Sequence, residues 1–86
     1  MEQELEKRGI AAEAIVLSVT IEDSKENEML VVILQIQVQP EKGRNFVSEI
    51  RECLRPSTID RLNVGSRISV IYNPANFKEV MMTNAA

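Results

Sequence analysis

The sequence predicts an all-β fold: a small, five-stranded, strongly bent antiparallel barrel with one helical turn between the third and fourth strands. Three observations carry this expectation. Short runs of alternating apolar and polar side chains recur along the 86 residues, and turn-forming residues punctuate them. Two of the runs also change their apolar phase partway along. A one-residue slip moves every side chain to the opposite face, so a strand whose oily side switches must bulge or bend. Strands of a small barrel do this where the sheet curls over itself.

The first run, "IAAEAIVLSVTIED", shows the switch. Its even positions Ile10, Ala12, Ala14 and Val16 are apolar, and so are its odd positions Ile15, Leu17, Val19 and Ile21. A bulge or sharp bend at residues 16–18 reconciles the two phases. Residues 22–28, "EDSKENE", are polar, with Asp, Ser and Asn to support a turn, so the next run returns antiparallel. That run, "MLVVILQIQVQP", is apolar without a break at residues 29–34 and alternates strictly from Leu34 to Gln39. Its first half is expected where the sheet curls or is covered, its second where one face meets water.

"PEKG", residues 40–43, is a second turn, with Pro early and Gly at its end. "RNFVSEIRECL" follows as a third strand, with Phe46, Ser48 and Ile50 on one face and Val47, Glu49, Arg51 and Cys53 on the other. Pro56 cannot donate to a ladder. Ser57 with Asp60 three residues on reads as a capping box with Asp in place of Glu, which predicts a helical turn over residues 58–62. That turn would tuck Ile59 and Leu62 under the sheet. Gly65 admits a fourth strand, "SRISVIYNP", with Ile68, Val70 and Tyr72 inward and Ser66, Arg67 and Ser69 outward. "NPAN" turns the chain, and residues 77–82 close the sheet. Residues 1–9 read as a charged lead-in, a frayed helical turn or no fixed structure; residues 10–83 read as one domain and residues 84–86 as a tail. The set describes an OB/SH3-like barrel.

Composition sets further bounds. The chain is 44% hydrophobic and 27% charged, ordinary for a globular domain, but Phe46, Phe77 and Tyr72 are its only aromatics. The core must therefore be aliphatic. The longest apolar run, residues 29–34, is far below the ~20 residues that span a bilayer, and the first nine residues lack the apolar stretch of a secretory signal. The lone Cys53 excludes an internal disulfide framework and fits a reducing compartment, so a cytoplasmic location is expected. The net charge of −3 divides unevenly, −5 over residues 1–28 and +2 over residues 29–86. Neither part has the basic excess usual in nucleic-acid binders.

The order of features resembles a widespread family of uncharacterised bacterial small β-barrel domains, often attached to membrane-anchored proteins. The residues that carry the resemblance begin with the small alternating side chains of "GIAAEAIVL". Pro40, Gly43 and Phe46 follow as a P-x-x-G-x-x-F turn. Gly65, Ile68, Val70, Tyr72, Asn73 and Pro74 match G-x-x-V-x-V-x-Y-[DN]-P. The resemblance implies the barrel fold and brings no catalytic residues with it. Membrane association of this chain alone is not expected.

The chemistry-bearing residues are sparse. There is no histidine, which removes the commonest general base and metal ligand together. Cys53 alone reads as a structural thiol. With glycine only at positions 9, 43 and 65, no phosphate-cradling loop is written. "DSKENE" spaces Asp23, Lys25 and Asn27 like the start of a calcium loop, but Lys25 stands where a ligand belongs and the central glycine is missing. No enzyme activity, cofactor or metal is therefore expected. The first functional expectation is a non-catalytic protein-interaction or self-association module, a homodimer included. Its docking surface would be Met29, Val31 and Ile33, opposite the core face, together with Met81 of the closing strand. The competing reading of these residues is that barrel curvature covers them. The alternative function is single-stranded nucleic-acid binding through Lys42, Arg44 and Arg51, for which the chain has few spare aromatics.

Overall fold

A computed structural model describes residues 9–24 and 28–83. The lead-in and tail expectations, and residues 25–27 of the first loop, lie outside the described residues. Five strands form one sheet: β1 (Ile10–Ser24), β2 (Leu30–Gln39), β3 (Phe46–Leu54), β4 (Arg67–Asn73) and β5 (Asn76–Met82). A single helical turn, α1 (Pro56–Ile59), lies between β3 and β4. The sheet order is β3-β2-β1-β4-β5 with every adjacent pair antiparallel, so β3 and β5 run the same way. The sheet curls until these two outer strands meet, giving the nearly closed barrel expected from the sequence.

β1 bends where its apolar phase changes. Val16 pairs with Ile36 and Ser18 with Gln35, so Leu17 is one residue too many for its partner strand. The even set Ala14 and Val16 is buried before the bulge, and Val19 of the odd set packs against the core after it. A second irregularity between Ile21 and Asp23 leaves Glu22 as the extra residue. Not all of the odd set turns inward. Leu17 is 40% exposed and Ile21 55% exposed; among the described residues β4 pairs with β1 only from Ile10 to Ile15 and does not reach them.

Leu34, Ile36, Val16, Val32, Val38 and Val70 are the largest fully buried side chains. Each such burial is worth about 1.5–3 kcal/mol, which makes the centre of β2 the main source of stability. β2 shows both expected regimes. Val31 and Val32, neighbours with opposite side-chain directions, are both buried, whereas from Leu34 onward buried residues alternate with more exposed glutamines. On β3, Ser48 and Ile50 are buried and Phe46 is half-buried; on β4, Val70 and Tyr72 are buried and Ile68 packs against the core.

The helical turn sits earlier than residues 58–62, and the Ser57–Asp60 capping box does not form. Pro56 occupies the first turn, where its missing N–H costs no hydrogen bond, and Arg55 precedes it with no side-chain cap. Ile59 still packs against the core and Leu62 is buried, as the apolar spacing requires.

Where β3 meets β5 there is no ladder of paired residues. The Ser48 hydroxyl donates to the Phe77 carbonyl at 3.1 Å. Beside it, Phe46 stacks on Phe77 with ring centroids 4.1 Å apart, and Tyr72 meets both edge-on at 5.3 and 5.8 Å. All three aromatics of the chain therefore stand at the seam.

Candidate functional site

The residues read from the sequence as a docking surface are not brought together in one open patch. Val31 is only 5% exposed. Met29, just before β2, and Ile33 within it are half-buried. Ile33 stands opposite Arg51 on β3, and the Arg51 guanidinium reaches across β2 to form an ion pair with Glu22 on β1. That bridge crosses the face bearing Ile33, which accounts for part of its cover. Met81 is half-buried elsewhere: it aligns with Ile71 of β4 and, through it, with Ala11 near the start of β1. Ile33 aligns with Thr20, so most of the length of β1 separates the two groups. Curvature and an ion pair cover much of the β2 stretch, in line with the competing reading of these residues.

The candidate nucleic-acid residues are also divided. Lys42 and Arg44 lie in the turn between β2 and β3, next to the aromatic seam. Arg51 is five residues along β3 from Phe46, about 16 Å at strand rise, and its guanidinium is engaged by Glu22. The aromatics that could stack on bases stack instead on one another.

Several of the residues that carry the resemblance have a structural role. Gly43 and Gly65 adopt φ of +103° and +93°, a region open to glycine at little cost, and both stand in turns. The Asn73 Oδ1 accepts from the Ala75 N–H at 2.9 Å and shapes the β4–β5 turn at Pro74. Ile68, Val70 and Tyr72 belong to the core or pack against it. These residues shape the barrel and its corners.

Grooves open at two places among the described residues. One is lined by Ala12, Glu13, Gln39, Glu41, Arg67 and Ser69; across it Arg67 and Glu13 form an exposed ion pair at 3.3 Å. The other lies beside α1, between Met29, Cys53, Arg55, Ser57, Thr58 and Arg61. Among the described residues no cluster of three or more His, Cys, Asp or Glu converges on a point, and no helix is long and apolar enough to cross a membrane.

The feature that strand pairing leaves open is the outer edge of β1. β4 pairs with β1 only from Ile10 to Ile15. Val16 still donates to the Ser66 carbonyl at 2.9 Å and accepts from the Gly65 N–H at 2.8 Å, and there the pairing ends. From Leu17 onward, among the described residues, no strand lies beside β1 on that side. The direction of its backbone groups follows from the register. Directly opposed residues alternate between pairs that exchange hydrogen bonds and pairs that do not. Val16 directs its N–H and C=O away from β2, so Val16 and Ile36 do not exchange bonds. The extra Leu17 shifts the alternation, so that Val19 and Ile21 aim their N–H and C=O groups into the empty lane, and Ser18 and Thr20 aim theirs at β2. Exposed Leu17 and Ile21 flank this stretch, and Val64, 70% exposed, stands at its start beside Gly65.

Sequence reading did not single out this edge. A signal was present, because a first strand of 15 residues faces a fourth strand of seven, and the shorter cannot cover the longer. Comparison with models of protein families, with curated proteins and with solved structures found no match.

Proposed function

We propose that this protein is a non-catalytic interaction module that binds protein by adding a strand to the free edge of β1 at residues 17–21. One observation carries the reading: among the described residues the pairing on that side of β1 ends at Val16, leaving the backbone groups of Val19 and Ile21 directed outward with apolar Leu17 and Ile21 exposed beside them. Strand addition draws affinity from main-chain hydrogen bonds and specificity from alternate side chains, and this edge offers both. Protected edges usually carry lysine or proline, and residues 17–21 carry neither. The exposed Cys53 thiol favours a reducing, cytoplasmic setting for this role. A nucleic-acid role has less support, since its candidate cations are separated and its aromatics are occupied with one another.

The test is titration of isotope-labelled protein, at low concentration, with a synthetic peptide of alternating valine and threonine. Amide shifts are expected to concentrate at residues 17–22. Ile21→Pro, which removes an outward N–H and no bond to β2, should abolish them while the remaining spectrum stays folded. Shifts spread evenly over the barrel, or centred on Lys42 and Arg44 upon titration with an oligonucleotide, would overturn the reading.

A further inference from the structure

We infer that the strand completing this edge is the same edge of a second copy, in a two-fold antiparallel pairing centred on Val19. The inference rests on the strand-addition reading above and names its partner.

Register carries it first. With Val19 on the axis, its outward N–H and C=O meet the C=O and N–H of Val19 in the second copy as a hydrogen-bonded pair. Leu17 then lies opposite Ile21 of the second copy, and Ile21 opposite its Leu17. The exposed apolar residues of the edge thus cover one another. Ser18 comes opposite Thr20, a pairing of short hydroxyl side chains that suits neighbouring strands.

Length agrees. The lane alongside β1 is closed at one end by Gly65 and Ser66, which bond to Val16. At the other end the bulge at Glu22 turns the strand out of regular register. Between these limits stand residues 17–21, about 17 Å of strand, and an identical segment fills that space.

Charge agrees as well. No two like charges lie opposite each other in this register. The acidic end of one edge, beginning at Glu22, comes level with Val16 of the second copy, next to the stretch from Gly65 to Arg67. The Arg67 side chain is 69% exposed there, and its bond to Glu13 is a surface one. A shift that set Glu22 against Glu22 would lose this complementarity and leave Leu17 uncovered.

Sedimentation equilibrium of the full chain tests the inference. The 9.7 kDa chain is expected to double in mass as concentration rises. Leu17→Lys/Ile21→Lys sets two cations opposite each other on both sides of the axis and should keep the chain monomeric, with unchanged circular dichroism because both positions are exposed. Leu17→Lys/Ile21→Glu sets opposite charges against each other in this register alone and should restore the dimer. Should either variant fail to fold, amide exchange of the unaltered chain decides: Val19 and Ile21 must gain protection as concentration rises. A chain monomeric at every concentration overturns the inference. So does a dimer indifferent to the double lysine substitution, or one not restored by the charge pair. A monomer whose edge still takes up the valine–threonine peptide removes the second copy and keeps strand addition; loss of both removes both.

Discussion

Ser48→Ala tests how the barrel closes. Every other strand contact in the sheet is a ladder, but β3 and β5 are joined by one side-chain hydrogen bond and by ring contacts. Ser48 is 8% exposed and its hydroxyl donates to the Phe77 carbonyl at 3.1 Å. A hydrogen bond of this kind contributes about 0.5–1.5 kcal/mol net. Phe77 is 48% exposed, so water reaches its surroundings and the cost of truncation falls near the middle of that range, about 1 kcal/mol. In a domain of this size that lowers the thermal midpoint by roughly 4–8 °C and the folded-to-unfolded ratio about fivefold. Urea unfolding reads the change directly, with an unchanged slope if only stability is altered. The ring contact is read separately by a double-mutant cycle with Phe46→Leu and Phe77→Leu, for which coupling of about 0.5–1.5 kcal/mol is expected. Hydrogen exchange should show β5 amides opening before the β1–β2 ladder does. If Ser48→Ala leaves the midpoint in place and the two leucine substitutions are additive, the seam is not what holds the curled sheet shut.

Other substitutions probe the remaining structure. Leu34→Ala empties a fully buried position at the centre of β2 and should cost about 2–5 kcal/mol by chemical denaturation, enough to unfold much of a small domain at ambient temperature. Gly43→Ala meets no atom within 4 Å, so its loss of about 1 kcal/mol should come from the φ of +103° alone. Glu28 adopts φ of +63° without being glycine, and Glu28→Gly is expected to gain about 0.5–1 kcal/mol in the same assay. Arg51→Ala breaks an exposed ion pair with Glu22 and should change stability by under about 1 kcal/mol, with a larger effect at low salt.

The residues show how far a linear reading reaches. The phase switch in "IAAEAIVLSVTIED" located the bulge at Leu17, because side-chain alternation has a fixed period and one inserted residue must invert it. The unbroken apolar run predicts cover on both faces over residues 29–33; Val31 and Val32 are buried, and Met29, Leu30 and Ile33 are half-buried. The helical turn was placed two residues late, since Pro56 at the first turn outweighs a Ser57 cap. The openness of the expected docking surface depends on something else. Val31 and Ile33 do lie opposite the core face, but Arg51 and Glu22, far apart in the chain, join across β2 on that face.

The sequence by itself determined that this chain makes five strands, where they turn, where the first one bends and that its core is aliphatic. These follow from alternation, glycine and proline, which act over a few residues. Tertiary structure alone decided that three aromatics from three strands would close the seam, and that among the described residues no strand would pair with the outer edge of β1 beyond Val16. Both outcomes depend on the register between strands distant in the chain. Register is set by the summed burial of the whole sheet, which no local window contains.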